Sequence, residues 1–500
     1  MGVREKIEAE ALKADNCWGA AYPLFSRVIN DYGLKVGVEI GVAFGGHSDA
    51  MLQQTQLDKL YGVDPYKHFE GYDDPMNLPQ SEFDVLHRFT TARLAKYGAR
   101  FELIREMSEL AAAQLEGPLD FVYIAAVHSY EGVLNDLKLW FPKIRNGGIV
   151  AGHDYGHVQF PGVKAAVDEF FLRFGWVVHE EGEGVWWVEK KPLNVSFIIP
   201  AYSCETTITD TLDSIFAENF AEGDEVVVID DCSKDNTKQI LQRYSVERHP
   251  LVIVEHLVNK GGAAARNTAI ENAKNGLIFC LDSDNILKPN SVPKLREFLL
   301  SEGAHAAAFQ ELWYFKDDPS SITHKWAFRP GQITFEDSLS SGIVPISSGN
   351  YLYTKNAWRS AGGYPEFAHA LDAWGFGLRQ LACGQKMVVL EGTGYFHRYG
   401  HESYWVREDR NGKTSLTALQ ILLPYIDQLE PKSVNYALGP QGRNTWFENM
   451  DAKPLRTKSR RKGKGGFVLD SRGNKIRKPS ELQHFWARVK AKIERLTRAQ

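Results

Sequence analysis

FCLDSDN, residues 279–285, ends a short apolar run in two alternating carboxylates, Asp282 and Asp284. Acids leaving a buried strand at that spacing can share one divalent cation with a ligand diphosphate, and hard oxygen ligands suit Mg²⁺ or Mn²⁺. Upstream, VSFIIPAY (195–202) is a β-rich run closed by Pro200, and TITDTLDSIF (207–216) spaces its apolar residues along one helix face. EVVVID (225–230) predicts a second strand ending at Asp230 and Asp231, after which Ser233, Asp235 and Thr237 suit the capping of a helix at KQILQRY (238–244). NKGGAAARNTAIEN (259–272) supplies a Gly-Gly turn and a helix carrying Arg266 and Asn267, which leads back to the Asp pair. Strands and helices alternating in this way predict an α/β sheet with its ligands at the carboxyl ends of the strands, where these acids cluster.

The serial arrangement resembles a family 2 glycosyltransferase of the GT-A fold over roughly residues 195–405. The resemblance implies metal-dependent, inverting transfer of a sugar from a nucleotide-sugar, expected to be UDP-linked, to a glycan or lipid-linked glycan acceptor. It assigns Asp231 to the base, Asp282 to the ribose side, Asp284 to the metal and Arg266 to the diphosphate. Pro200, Tyr202 and Asp230 complete the expected nucleotide-sugar-binding set. SSGNYLYTKNAWRSAGGYPE (347–366) is similar to the family's acceptor-side segment, though it suggests no chemistry of its own. The family takes its catalytic base from an acidic pair ahead of a helix ending in Leu-Arg. Here HALDAWGFGLRQLACG (369–384) holds one carboxylate, Asp372, which is assigned that role, with a helix N-cap as the alternative. His397, in GYFHRYGHESYW (394–405), stands where the family often supplies a further metal ligand, and imidazole suits Mn²⁺ better than Mg²⁺. Trp374, Tyr404 and Trp405 read equally as a platform for a sugar ring or as core.

The amino-terminal part is different. VGVEIGVAFGGHSDAML (36–52) is an apolar strand ending at Glu39, followed by Gly41, Gly45 and Gly46 and a helix opening at His47-Ser48. The next strand ends in Asp64, an acid placed to hold a pair of ribose hydroxyls. Glu39, Gly41 and Asp64 together resemble a class I S-adenosylmethionine-dependent methyltransferase. LDFVYIAAVHSYEGVLNDLKLWFPKIRNGGIVAGHDYGH (119–157) looks like the small members that act on sugars and antibiotics. The resemblance implies S-adenosylmethionine held by Glu39, Gly41, Gly45, Ser48, Asp64 and Ser108, with His128 and Asp154 catalytic. Ser108 is equally readable as a helix N-cap. Relatives usually carry Asp where this chain has Ala125. That leaves open a metal-independent enzyme, a silent module that binds cofactor or partner, or a substituted position.

These readings predict an α/β chain. It consists of a Rossmann-like methyltransferase domain (1–190), a linker (191–194), a GT-A domain (195–430) and a basic, partly helical tail (431–500). The net charge of −5 hides an asymmetry, since residues 431–500 carry eighteen Lys and Arg against five Asp and Glu. RTKSRRKGKGG (456–466) reads as a solvated stretch and ELQHFWARVKAKIERLTRA (481–499) as an amphipathic basic helix. Its expected partners are an anionic membrane surface, an acidic glycan, another subunit or the acidic body itself. No nucleic-acid-binding motif accompanies it. Five scattered cysteines without C-x-x-C spacing, a charged N-terminal helix and no long apolar run point to a cytoplasmic location, possible peripheral membrane contact aside.

Overall fold

The computed structural model describes residues 2–71, 76–182, 184–340, 348–400, 417, 420–428, 467–469 and 475–477 of the 500-residue chain. It divides into two compact units, Met1–Pro192 and Leu193–Gln500.

In the first unit, seven strands form one sheet: β1 (Val36–Ile40), β2 (Lys59–Val63), β3 (Phe101–Ile104), β4 (Leu119–Ile124), β5 (Ile144–Gly152), β6 (His179–Glu181) and β7 (Val185–Glu189). Their order is β3-β2-β1-β4-β5-β7-β6, parallel from β3 to β5, with β7 antiparallel to both β5 and β6. Val38, Leu60, Phe121, Val122, Ile149 and Val150 are fully buried, as expected where helices cover both faces of a parallel sheet. The strand order reverses between β1 and β4, which opens a crevice at their carboxyl ends. There Gly41, at φ +90°, passes so close to β4 that a Cβ would lie 2.4 Å from the Ala125 carbonyl oxygen.

The second unit is built on a ten-stranded sheet. Its strands are β8 (Val195–Ala201), β9 (Glu225–Asp230), β10 (Val252–Glu255), β11 (Leu277–Cys280), β12 (Ile286–Leu287), β13 (Ala306–Phe315), β14 (His324–Ala327), β15 (Gly331–Ile333), β16 (Tyr351–Thr354) and β17 (Met387–Arg398). The main path runs β10-β9-β8-β11-β16-β13-β17-β12, with β14 beside β13 and β15 beside β17. The sequence Val226–Ile229 is wholly buried, and each such side chain contributes about 1.5–3 kcal/mol on leaving water. The order reverses between β8 and β11, so the acids that follow β9 and β11 face one crevice. A third, two-stranded sheet pairs β18 (Phe467–Leu469) with β19 (Lys475–Arg477), a hairpin that the expectation of a basic, partly helical tail did not include. The proposed amphipathic helix, His401, Tyr404 and Trp405 lie outside the described residues. Among the described residues, no helix is long and apolar enough to cross a membrane.

Candidate functional site

The crevice of the second unit is organised by one guanidinium. Arg266 lies on the helix Gly262–Asn272 and donates from Nη2 to Asp282 and from Nη1 to Asp372, each at 2.6 Å. Asp282 has just left β11, and Asp372 is the first residue of the helix Asp372–Ala382. Burial pushes the Asp372 carboxyl above its ordinary value, and the charge of Arg266 opposes that rise. The approach is tight, because a Cβ on Gly262 would meet Arg266 Nη1 at 2.7 Å and Asp372 Oδ2 at 3.2 Å. Asp372 is therefore not an N-cap: Leu371 holds that position, and the Asp372 Oδ1 accepts only the adjacent Ala373 N–H.

Asn350 fixes Asp282 from the other side. Its Oδ1 accepts the Asp282 main-chain N–H at 2.8 Å, and its Nδ2 donates to Asp282 Oδ2 at 3.0 Å and to the Tyr395 hydroxyl at 3.2 Å. On the nucleotide side, Asp231 is buried under the turn at residues 259–261. It accepts the Lys260 N–H at 2.9 Å and the Gly261 N–H at 2.8 Å, and it meets His256 Nδ1 at 2.7 Å. Asp230 accepts the Ser233 N–H at 3.0 Å, Pro200 lies within β8, and Tyr202 is exposed beyond the end of that strand.

Asp284 carries a carboxyl raised to about 7, by the protein packed around it first and by the neighbouring Asp282 charge second. Its side chain still reaches solvent, which tempers that rise. Arg398 ties the end of β17 to this loop. Its Nε donates to the Asp284 carbonyl at 3.1 Å, and its main-chain N–H donates to Asn285 Oδ1 at 3.1 Å. The register Ile286–Phe396 then sets His397 beside the Asp284 loop. Burial holds the His397 imidazole down to about 4 against the pull of Asp282, so it is a neutral nitrogen donor at pH 7. Asp282, Asp284 and His397 do not bring ligand atoms within 4.8 Å of one another; among the described residues only His128, His153 and Asp154 do.

In the first unit, Glu39 is the penultimate residue of β1 and is nearly fully buried. It meets His47 Nδ1 at 2.7 Å and accepts the Ser48 hydroxyl. Asp64 accepts the Val42 and Ala43 N–H groups at 3.1 and 2.9 Å through Oδ2 and the Tyr66 N–H through Oδ1. It thereby staples the Gly41–Gly45 loop, and Gly45 at φ +74° starts the helix Gly46–Gln54. Burial raises Asp64 above its ordinary value. His128 and Asp154 come together, with Nε2 3.2 Å from Oδ2.

Residues 196–359 match the family described as Glycosyl transferase family 2, and residues 38–155 match a family described as Methyltransferase domain. The chain joins a methyltransferase domain to a family 2 glycosyltransferase domain. Its sheets are the Rossmann-like and GT-A folds that these families imply. The glycosyltransferase domain is 35% identical over 156 residues to the putative teichuronic acid biosynthesis glycosyltransferase TuaG of Bacillus subtilis, covering 31% of this chain and 60% of that one. It is 39% identical over 98 residues to the UDP-Glc:alpha-D-GlcNAc-diphosphoundecaprenol beta-1,3-glucosyltransferase WfgD of Escherichia coli, covering 20% and 38%. A crystal structure of S. aureus TarS 1–349 in complex with UDP-GlcNAc is 20% identical, covering 53% of this chain and 77% of that one, with a TM-score of 0.42. The chain spans 15% to 62% of the length of the first curated relatives it matches.

Within the glycosyltransferase domain the structure brings Arg266, Asp282 and Asp372 into direct contact, while Asp231 sits under a separate turn. Asn350 and His256 escaped the sequence reading. Asn350 lies in the Gly-Asn turn, which carries no chemical signature of its own, and its partner Asp282 is 68 residues away. Two alternatives left open by the sequence, one in each domain, are decided. Ser108 is not an N-cap, because its hydroxyl donates to Asp136 and accepts from Trp140 Nε1 at 2.9 Å, bonds that spend it on packing against the helix Tyr130–Trp140. Trp374 is 5% exposed and belongs to the core, so it offers no face to a sugar. His153, in the GHDY tetrapeptide, lies with His128 and Asp154, so the cluster has three members where the sequence pattern points to two.

Proposed function

We propose that the glycosyltransferase domain transfers a sugar from a nucleoside-diphosphate sugar to a glycan acceptor with inversion, and that the methyltransferase domain methylates a sugar hydroxyl from S-adenosylmethionine. The observation that carries the first half is the Arg266 bridge, which holds a donor-side carboxylate and an acceptor-side carboxylate on one cation. Ionised Asp372 accepts the proton of the attacking acceptor hydroxyl, and its raised affinity for that proton suits a general base. Arg266 keeps the base charged beforehand and lies where negative charge builds on the leaving diphosphate.

A divalent cation fits this crevice, because crowding of Asp282 and Asp284 raises Asp284 and a bound positive charge relieves that repulsion. Asp284, with His397, would hold it, and bound Mn²⁺ or Mg²⁺ supplies charge neutralisation for the diphosphate. The names of the relatives, one of which specifies UDP-Glc and a diphosphoundecaprenol-linked acceptor, favour a UDP-linked donor and a lipid-linked glycan. A cytoplasmic site of action, with peripheral contact at the membrane face, accords with that acceptor. The test is a panel of nucleotide-sugars incubated with Mn²⁺ or Mg²⁺ and assayed for free nucleoside diphosphate. One donor should be cleaved, and Asp284→Ala should abolish the release.

For the amino-terminal domain, S-adenosylmethionine would use the Glu39–Asp64 end of the β1/β4 crevice, with His128 and Asp154 facing the acceptor. A second reading, a catalytically silent binding module, is favoured by Ala125, which removes the carboxylate expected after β4. Methyl transfer separates the two: release of S-adenosylhomocysteine by the wild type with a glycan acceptor, little changed in Ala125→Asp, supports the enzyme, whereas release only from Ala125→Asp supports the silent module.

A further inference from the structure

We propose that Lys288 and Lys325, gathered around Trp313 on the sheet face that turns away from the sugar-transfer crevice, bind an oxyanion substituent, carboxylate or phosphate, of a glycan chain. Neither sugar transfer nor methyl transfer is needed for this inference.

Four strands deliver the site. Trp313 on β13 stands opposite Phe396 on β17 and Lys325 on β14, and Phe396 stands opposite Ile286 on β12. Residues opposite one another share a face of a sheet, so these side chains lie on one side. Tyr314 and His397, one step along, lie on the other side with the Asp284 loop. Lys288 directly follows β12, and continuing that register sets it against Gly394. The missing side chain at Gly394 lets the Lys288 stem cross β17 and bring its ammonium 2.8 Å from the centre of the Trp313 ring. Lys325 brings its own to 3.4 Å.

The charges of this cluster are unbalanced. Two nitrogens so close to one ring centre can be no farther apart than the sum of those distances, and two ammonium groups that near repel. Among the described residues, no carboxylate oxygen lies within 4.0 Å of either. The acid that acts on Lys288, Glu311, spends Oε2 on the Trp313 Nε1–H at 2.6 Å, a bond that fixes the indole. Burial pushes the Lys288 ammonium down to about 8, with Glu311 working against that fall and Lys325 adding to it. Lys288 therefore still carries its charge at pH 7, and an anion that bridges the two cations is the missing partner.

The rings decide the class of ligand. Phe396 stands edge-on to Trp313 at 5.8 Å and 89°, and both are half-buried, so an apolar wall adjoins the two cations. A free inorganic ion leaves that wall unused. An anionic bilayer is held by clusters of about 4–8 basic residues, more than this face presents. A sugar ring that carries a carboxylate or phosphate uses both its C–H face and its charge.

The test uses the full chain with an oligogalacturonate and a phosphorylated oligomannose as charged glycans, a malto-oligosaccharide as the neutral one, inorganic phosphate, and phosphatidylglycerol vesicles. Lysine acetylation followed by peptide mass spectrometry reads Lys288 and Lys325 separately from the lysines of the tail. At least one charged glycan should slow labelling of both residues, with phosphate weaker at equal charge and the neutral glycan and vesicles without effect. Lys288→Gln and, separately, Lys325→Gln should each raise the glycan concentration needed to protect the remaining lysine by about tenfold. The circular dichroism spectrum and the release of nucleoside diphosphate should be unchanged in both. Should Lys288→Gln fail to fold, the exposed Lys325→Gln reads the same loss. Protection by neither charged glycan, equal protection by phosphate, protection by vesicles, or protection unaltered in the folded variants overturns the proposal. Loss of nucleoside diphosphate release in a folded variant overturns it too, by assigning the lysines to the crevice.

Discussion

Arg266 and Asp372, 106 residues apart in the chain, form an ion pair of 2.6 Å in which both side chains are almost entirely buried. The same guanidinium spans to Asp282, so one cation serves two carboxylates. A buried pair of this kind is weak evidence for stability, but breaking it leaves an uncompensated charge.

Arg266→Ala should therefore cost about 3–5 kcal/mol of stability in the second unit, measured by urea unfolding. Arg266→Lys keeps the charge but loses the planar fork that reaches both acids. It should fold more stably than Arg266→Ala while losing nucleoside diphosphate release to a similar extent.

Asp372→Asn keeps the shape of the base and removes its proton acceptor. Transfer should fall by about 10²–10⁴-fold, with donor affinity by calorimetry unchanged. A loss of donor binding equal to the loss of turnover would assign Asp372 to the donor instead.

Gly262→Ala adds a methyl group where the Arg266 guanidinium already stands, 2.7 Å from Nη1. No charge changes, yet the bridge must shift, and misplacement on the order of 1 Å can cost about 10²-fold in rate. The expected outcome is a folded protein, by circular dichroism, with turnover reduced to that degree.

Asp136 gives the first unit a pH dependence. Burial raises its carboxyl from 3.8 to about 7, so the folded chain keeps a proton that the unfolded chain releases between those values. This favours folding at low pH and is lost progressively as pH rises through that window, by on the order of 4 kcal/mol at most. Asp136→Asn should melt at a higher temperature than wild type at pH 8 and differ little at pH 4. An equal shift at both pH values would contradict the assignment.

The two families were legible because each depends on local pattern: β-branched runs such as EVVVID, glycine turns, and acids placed at strand ends. Which atoms meet was not legible. Asn350 reaches Asp282 across the β11–β16 pairing, and His153 reaches His128 across the β4–β5 pairing; neither contact leaves a periodic signal in the chain. Ser108 shows the opposite failure. A serine opening a helix is a strong capping signal, but the buried Asp136 and Trp140 offered its hydroxyl two bonds that outcompeted the cap. Trp374, on an amphipathic helix, went to the core because the face it occupies packs inward.

The most direct measurement of the central claim is the anomalous scattering of manganese in a crystal soaked with UDP and Mn²⁺. One manganese is expected in the second unit, coordinated by Asp284, His397 and oxygens of the diphosphate, with Arg266 nearby. Manganese absent from Asp284 at saturating nucleotide, or a nucleotide bound away from the Asp282–Asp284 crevice, would contradict it.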